Sequence, residues 1–104
     1  MKHLGQHAIV IGASMGGLLA ARALSEAYAV VTVLERDALP RSDIPRKGAP
    51  QGRHAHGLLA RGRAVIENFF PGWTDAVVAC GGVRGDIAGD VKWVGHGVTI
   101  KSAP

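Results

Sequence analysis

The chain has 104 residues, a single cysteine and a formal net charge of +4. That length allows one domain at most, since domains usually run to about 100–150 residues. A hydrophobic fraction of 47% with 5% aromatics fits a soluble α/β protein and excludes a disordered chain. The lone Cys80 excludes an internal disulfide and leaves no sign of an oxidising compartment, so the cytoplasm is the expected location.

Met1-Lys2-His3 before an apolar run imitates a signal peptide. The glycine cluster that follows argues against one, and the run is shorter than the roughly 20 residues of a membrane span. No membrane association is expected.

Ala8-Ile9-Val10-Ile11 reads as a strand, and Gly12-Ala13-Ser14-Met15-Gly16-Gly17 as a tight turn opening a helix. Val30-Val31-Thr32-Val33-Leu34 reads as a second strand ending at Glu35, 23 positions past Gly12. Strand, glycine turn, helix, strand and acid in this order form a dinucleotide-binding fingerprint. Gly12 permits the sharp turn, the second motif position lets backbone approach a pyrophosphate, and Gly17 lets the helix pack close. The helix N-terminus then offers N–H groups to the phosphates. The plain alternative is a glycine-rich turn in an unrelated α/β domain.

Two residues depart from the pattern. Ser14 stands where a second glycine is usual, and its hydroxyl can donate to a phosphate while narrowing the approach. Tyr28 stands where a helix-to-strand turn commonly uses glycine at positive φ, which predicts a strained or re-routed loop.

Residues 17–27 read as a helix with Leu18, Leu19, Ala21, Ala23 and Leu24 inward and Arg22 and Glu26 outward. Glu35 is placed to accept hydrogen bonds from an adenosine ribose, and its charge disfavours a 2′-phosphate, hence NADP, at this site. Most of the positive excess follows: Arg36, Arg41, Arg46, Lys47, Arg53, Arg61 and Arg63 face only Asp37 and Asp43. Without aromatic interleaving, a recognition helix or zinc spacing, nucleic acid is not the expected partner. An anionic pyrophosphate fits better, with some of the charges forming only a solvated face.

Residues 37–51 hold Pro40, Pro45, Pro50 and Gly48 and read as a long loop, the kind that is usually functional or mobile. Gly52 to Gly57 is expected to open a helix that continues through Leu58, Leu59, Ala60, Val65, Ile66, Phe69 and Phe70 and stops at Pro71-Gly72. His54 and His56, two apart on that helix, would point to different faces, and no third ligand sits at metal spacing, so no metal site is expected. Residues 74–80 read as a short helix ended by Gly81-Gly82, and residues 90–101 as a β-hairpin around Gly95-His96-Gly97. Cys80 and His96 lack a third orienting group for nucleophilic work, and Cys80 reads as a structural cysteine.

Gly12-Ala-Ser-Met-Gly-Gly, Val33-Leu-Glu35-Arg36, and Arg46-Lys-Gly-Ala-Pro50-Gln51-Gly-Arg-His54-Ala-His-Gly-Leu-Leu together resemble the N-terminal part of FAD-dependent monooxygenases with the p-hydroxybenzoate hydroxylase fold. Bacterial hydroxylases and epoxidases of secondary metabolism are the nearest in character. The resemblance runs from Ala8 to about Gly72. It implies an α/β fold containing an incomplete Rossmann-like FAD/NAD(P)-binding βαβ unit, a following helix and a C-terminal hairpin. Residues 1–82 would belong to the FAD-binding domain, and residues 83–104 would begin a substrate-domain sheet or form a tail.

The cofactor-binding residues implied are Gly12, Ala13, Ser14, Met15, Gly16, Gly17, Glu35, Arg36, Arg46, Gln51 and His54. Gly12, Ser14 and Gly17 would line the FAD pyrophosphate, Glu35 would take the ribose, Arg46 the diphosphate or ribitol side, and Gln51 and His54 would sit nearer the flavin. In such enzymes NADPH or NADH reduces the flavin, which then uses O2 to oxygenate a small organic substrate. Family members run to several hundred residues with a later Gly-Asp segment and a substrate sheet, so this chain looks like a truncated form that is not expected to turn over at a meaningful rate by itself. An oligomer or a partner chain could cover its open sheet edge. The rival readings are an NAD-binding oxidoreductase fragment and a non-catalytic module that binds a dinucleotide or a protein.

Overall fold

A computed structural model of the chain describes residues 2–39 and 44–101. The loop and charge expectations for Pro40, Arg41 and Asp43 lie outside the described residues. The chain forms two compact units, residues 1–71 and 72–104.

The first unit is a βαβ unit followed by a further helix: β1 (Gly5–Ile11), α1 (Met15–Leu24), β2 (Tyr28–Leu34), a short 3-10 turn (Pro50–Arg53) and α2 (Ala60–Phe69). β1 and β2 pair in parallel, with Ala8 beside Val31, Val10 beside Val33 and Ile11 beside Leu34. Hydrogen bonds extend the pairing at both ends, from the Leu4 N–H to the Ala27 carbonyl and from the Gly12 N–H to the Leu34 carbonyl. α1 is the crossover and packs on both strands and on α2. Because strand residues alternate faces, Ala8, Val10, Val31 and Val33 share one side of the sheet and Ile9, Ile11, Val30, Thr32 and Leu34 the other.

The core is small: Val10, Ala13, Ala27 and Ile66 are the buried hydrophobic residues among those described. On the opposite face Ile9 remains 60% exposed and Ile11 86%, with the His7 ring nitrogen bonded to the Thr32 hydroxyl at 2.8 Å.

The turn from α1 to β2, expected at Tyr28 to be strained or re-routed, needs no left-handed residue. Ser25 is right-handed (φ −62°), the Glu26 and Ala27 N–H groups donate to the Ala23 and Leu24 carbonyls, and Tyr28 is already in the strand. Arg22 was expected to face outward and instead ties two helices together. Its Nε donates to the Phe69 carbonyl at the end of α2 (2.9 Å), and its guanidinium lies 5.6 Å from the centre of the Phe69 ring. The last carbonyls of a helix lack partners within it, so a cation there is favoured. Nη1 also pairs with Glu26 at 3.0 Å.

The helix expected from Gly52 starts later. Residues 50–53 form a single 3-10 turn, residues 54–59 are non-helical, and α2 begins at Ala60. The apolar period that starts at Leu58 was read too far upstream, while Leu59 in extended conformation (φ −74°, ψ 159°) is the cap that precedes the helix.

The second unit has α3 (Trp73–Ala79) and an antiparallel hairpin of β3 (Trp93–Gly95) and β4 (Val98–Ile100). His96 and Gly97 link the strands, both at positive φ (49° and 77°), the signature of a two-residue primed turn. Between helix and hairpin, Asp86 accepts the N–H groups of Gly89 and Ala88, both at 2.7 Å, which hold its carboxyl below the usual range. Cys80 is exposed rather than a packed structural cysteine. Among the described residues no helix is long and apolar enough to cross a membrane.

Candidate functional site

The site lies where β1 and β2 end, at the side of the sheet from which α1 departs. Gly12 carries the chain out of β1 with φ +98°, a conformation L side chains rarely adopt. Gly17 lies in the first turn of α1 against that bend. A Cβ on Gly17 would stand 2.8 Å from the Gly12 carbonyl carbon and closer still to its oxygen, so only glycine allows this approach. A Cβ on Gly16 would meet nothing within 4 Å. The two glycines with demanding geometry are thus the first and third of the fingerprint, the positions to which the sequence reading gave a structural task.

Ser14 is the N-cap of α1, in extended conformation, and makes no capping bond with its own side chain. Its carbonyl accepts the first intrahelical bond, from the Leu18 N–H at 2.9 Å. The N–H groups of Met15, Gly16 and Gly17 have no helical carbonyl before them, which is the general condition of a helix start and suits an anion.

Glu35 follows β2 and turns its carboxylate back to this bend. Oε2 accepts the Ala13 N–H at 2.8 Å and Arg46 Nη1 at 3.0 Å. Oε1 accepts the Arg36 N–H at 2.9 Å and, more weakly, the Asp37 N–H at 3.4 Å. These donors, Ala13 foremost and then Asp37, hold the carboxyl below its ordinary 4.5 against the opposing effect of desolvation.

Arg46 comes from the proline-containing loop. Its Nη2 donates to the Ala13 carbonyl at 3.0 Å and reaches the Ser14 hydroxyl at 3.4 Å. The guanidinium therefore spans the glycine turn and the acid at once. A second tether holds the same loop: the Gly48 N–H donates to Asp37 Oδ2 at 2.7 Å, and a Cβ on Gly48 would crowd that oxygen at 2.6 Å. Two acids just past β2 thereby anchor the loop over the start of α1.

Of the residues expected at the site, the fold brings together Gly12 to Gly17, Glu35 and Arg46. It does not bring in Arg36, Gln51 and His54, whose side chains are exposed and make no hydrogen bond to the turn. His54 and His56 lie outside any helix, so the argument from helical faces does not apply to them; His56 Nδ1 sits 2.7 Å from the His54 carbonyl oxygen. Among the described residues no group of three His, Cys, Asp or Glu could hold a metal. Sequence reasoning placed Asp37 and Gly48 in the loop and missed that they pair. An Asp 11 residues before a glycine carries no pattern, and only the return of the loop makes them partners.

No family model matches the chain. Protein Rv3254 of Mycobacterium tuberculosis (strain ATCC 25618 / H37Rv) is 52% identical over 75 residues, 72% of this chain. The match spans 16% of that protein's length.

Proposed function

We propose that this chain is the FAD-binding segment of a flavin-dependent monooxygenase, a hydroxylase or epoxidase that uses NAD(P)H and O2 on a small organic substrate. The observation that supports it most is the pairing of Gly12 at positive φ with a Gly17 that has no room for a Cβ, both beside a strand-end carboxylate. This is the arrangement a diphosphate-binding βαβ turn requires. The residues suit such a group: small at the bend, open at Gly16, with helix N–H groups and a guanidinium converging from two elements. When bound, the flavin supplies the redox chemistry, and this chain's residues bind and orient its adenosine diphosphate half.

In this reading the unit is Rossmann-like, the protein is cytoplasmic, and residues 83–104 begin a substrate-domain sheet. Because the match to Rv3254 covers so little of that protein, turnover is proposed for a longer polypeptide, and the chain alone is expected to bind without consuming NADPH.

The test is a fluorescence titration of the chain with FAD, with NAD in parallel. FAD binding that weakens in Glu35→Ala more than in Arg36→Ala supports the proposal. A clear preference for NAD would transfer the site to a nicotinamide-dependent oxidoreductase. Binding of neither removes the dinucleotide reading.

A further inference from the structure

We infer that Arg46 is a latch on Glu35, released by an anion at the glycine turn, so that the ribose-binding carboxylate becomes available only to ligands that carry a diphosphate. The inference rests on the dinucleotide reading above and adds to it a residue that sets selectivity for dinucleotides over bare nucleosides.

The geometry supplies each step. A ribose diol needs acceptor positions on the Glu35 carboxylate, and four donors among the described residues already use them. Three of these donors are backbone N–H groups, of Ala13, Arg36 and Asp37, fixed by the strand end and the turn. The fourth is Arg46 Nη1, among the described residues the one donor carried on a side chain, which can swing away without disturbing either strand.

Arg46 would leave only for an acceptor of similar strength. Its other amino group already lies against the Ala13 carbonyl and near the Ser14 hydroxyl, beside the first turn of α1 where a diphosphate would rest. A short rotation would trade the carboxylate for a phosphate, and guanidinium groups pair with both. A nucleoside has no phosphate to offer and must break the ion pair with nothing in return. Linkage then makes the two halves of the ligand cooperative: diphosphate raises the affinity for ribose by the factor by which ribose raises the affinity for diphosphate.

The experiment measures adenosine and ADP binding by calorimetry to the 104-residue chain, to Arg46→Ala and to Arg46→Gln. Wild type should bind ADP and scarcely bind adenosine. Arg46→Ala should strengthen adenosine by about tenfold, the worth of one hydrogen bond to a charged group, and leave ADP nearly unchanged, because the arginine gives up the carboxylate for a phosphate of similar strength. Arg46→Gln, which keeps a neutral donor toward Glu35, should fall between. On the wild-type chain, inorganic pyrophosphate alone should shift the NMR signals of both the Arg46 Nε and the Glu35 carboxylate carbon.

A gain for adenosine without a matching gain for ADP supports the latch. If Arg46→Ala weakens ADP while adenosine stays unchanged or weakens, or if pyrophosphate moves Arg46 and leaves Glu35 untouched, Arg46 is a plain clamp and the latch is wrong while the site stands. If wild type binds neither ADP nor FAD, the dinucleotide reading fails first.

Discussion

Gly17→Ala is the sharpest probe of the turn, because two opposed effects meet there. Alanine gains about 1 kcal/mol over glycine in a helix interior. Against this, the new Cβ would lie 2.8 Å from the Gly12 carbonyl carbon and nearer still to its oxygen. Non-bonded heavy atoms are comfortable at about 3.5–4.0 Å, so α1 and the end of β1 must part by more than an ångström to clear the carbonyl oxygen. The opposing atoms are backbone and cannot rotate away. Overpacking of this kind costs about 1–3 kcal/mol, and a clash with immovable backbone belongs at the upper end, leaving a net loss of about 2 kcal/mol. Native stabilities amount to about 0.05–0.15 kcal/mol per residue, so that loss is a large share of what holds so small a core. Gly16→Ala is the matched control: a neighbour in the same turn with open space, it should gain up to about 1 kcal/mol. Urea denaturation followed by far-UV circular dichroism should therefore separate the variants by about 3 kcal/mol, the sum of these two effects. Equal midpoints would refute the close approach and, with it, the fingerprint geometry.

Three further outcomes follow from other contacts. Arg22→Met keeps the aliphatic stem but loses the bond to the Phe69 carbonyl and the ring contact, and should cost about 1–2 kcal/mol in the same denaturation assay. Glu26→Gln removes only a partly exposed ion pair and should cost less than about 0.5 kcal/mol, so equal losses would place the importance of Arg22 in the wrong contact. For pH, the Glu35 carboxyl is depressed in the folded chain, so its contribution is present above its unfolded value, near 4.5, and is lost as pH falls through the lower folded value. Glu35→Gln should flatten that part of the acid stability profile, with wild type and variant converging at the acid end; a gap that stays constant with pH would show that the ionised carboxylate is not what matters.

Much of this was legible in the sequence because it is local and periodic. The βαβ order, the roles of Gly12 and Gly17, the place of Glu35 at the end of β2 and the hairpin around His96 each follow from residues close in the chain. The contacts that were not legible are those in which a side chain is claimed by a distant backbone group. Arg22 looked like a solvated helix residue because nothing in its own helix shows the end of α2, 47 residues on. The Asp37 to Gly48 tether was hidden for the same reason. The start of α2 was misplaced because an apolar period says where a helix can run and not where its first turn closes.

The exposed face of the sheet follows from the same physics. Parallel strands are ordinarily covered on both sides and accordingly read as continuous apolar runs. β1 and β2 have that composition, yet α1 lies on one side only, and Ile9, Ile11, Val30 and Leu34 are exposed on the other. The strands are thus composed for burial on both sides, while α1 covers one. The candidate site does not depend on cover for the other. Gly12, Gly17, Glu35 and Arg46 are fixed by the β1 to β2 register, the first turn of α1 and the hydrogen bonds among themselves. Occupation of the site and covering of the open face are therefore separable properties, and a soluble variant carrying a polar residue at Ile11 would leave every contact that positions Glu35 in place.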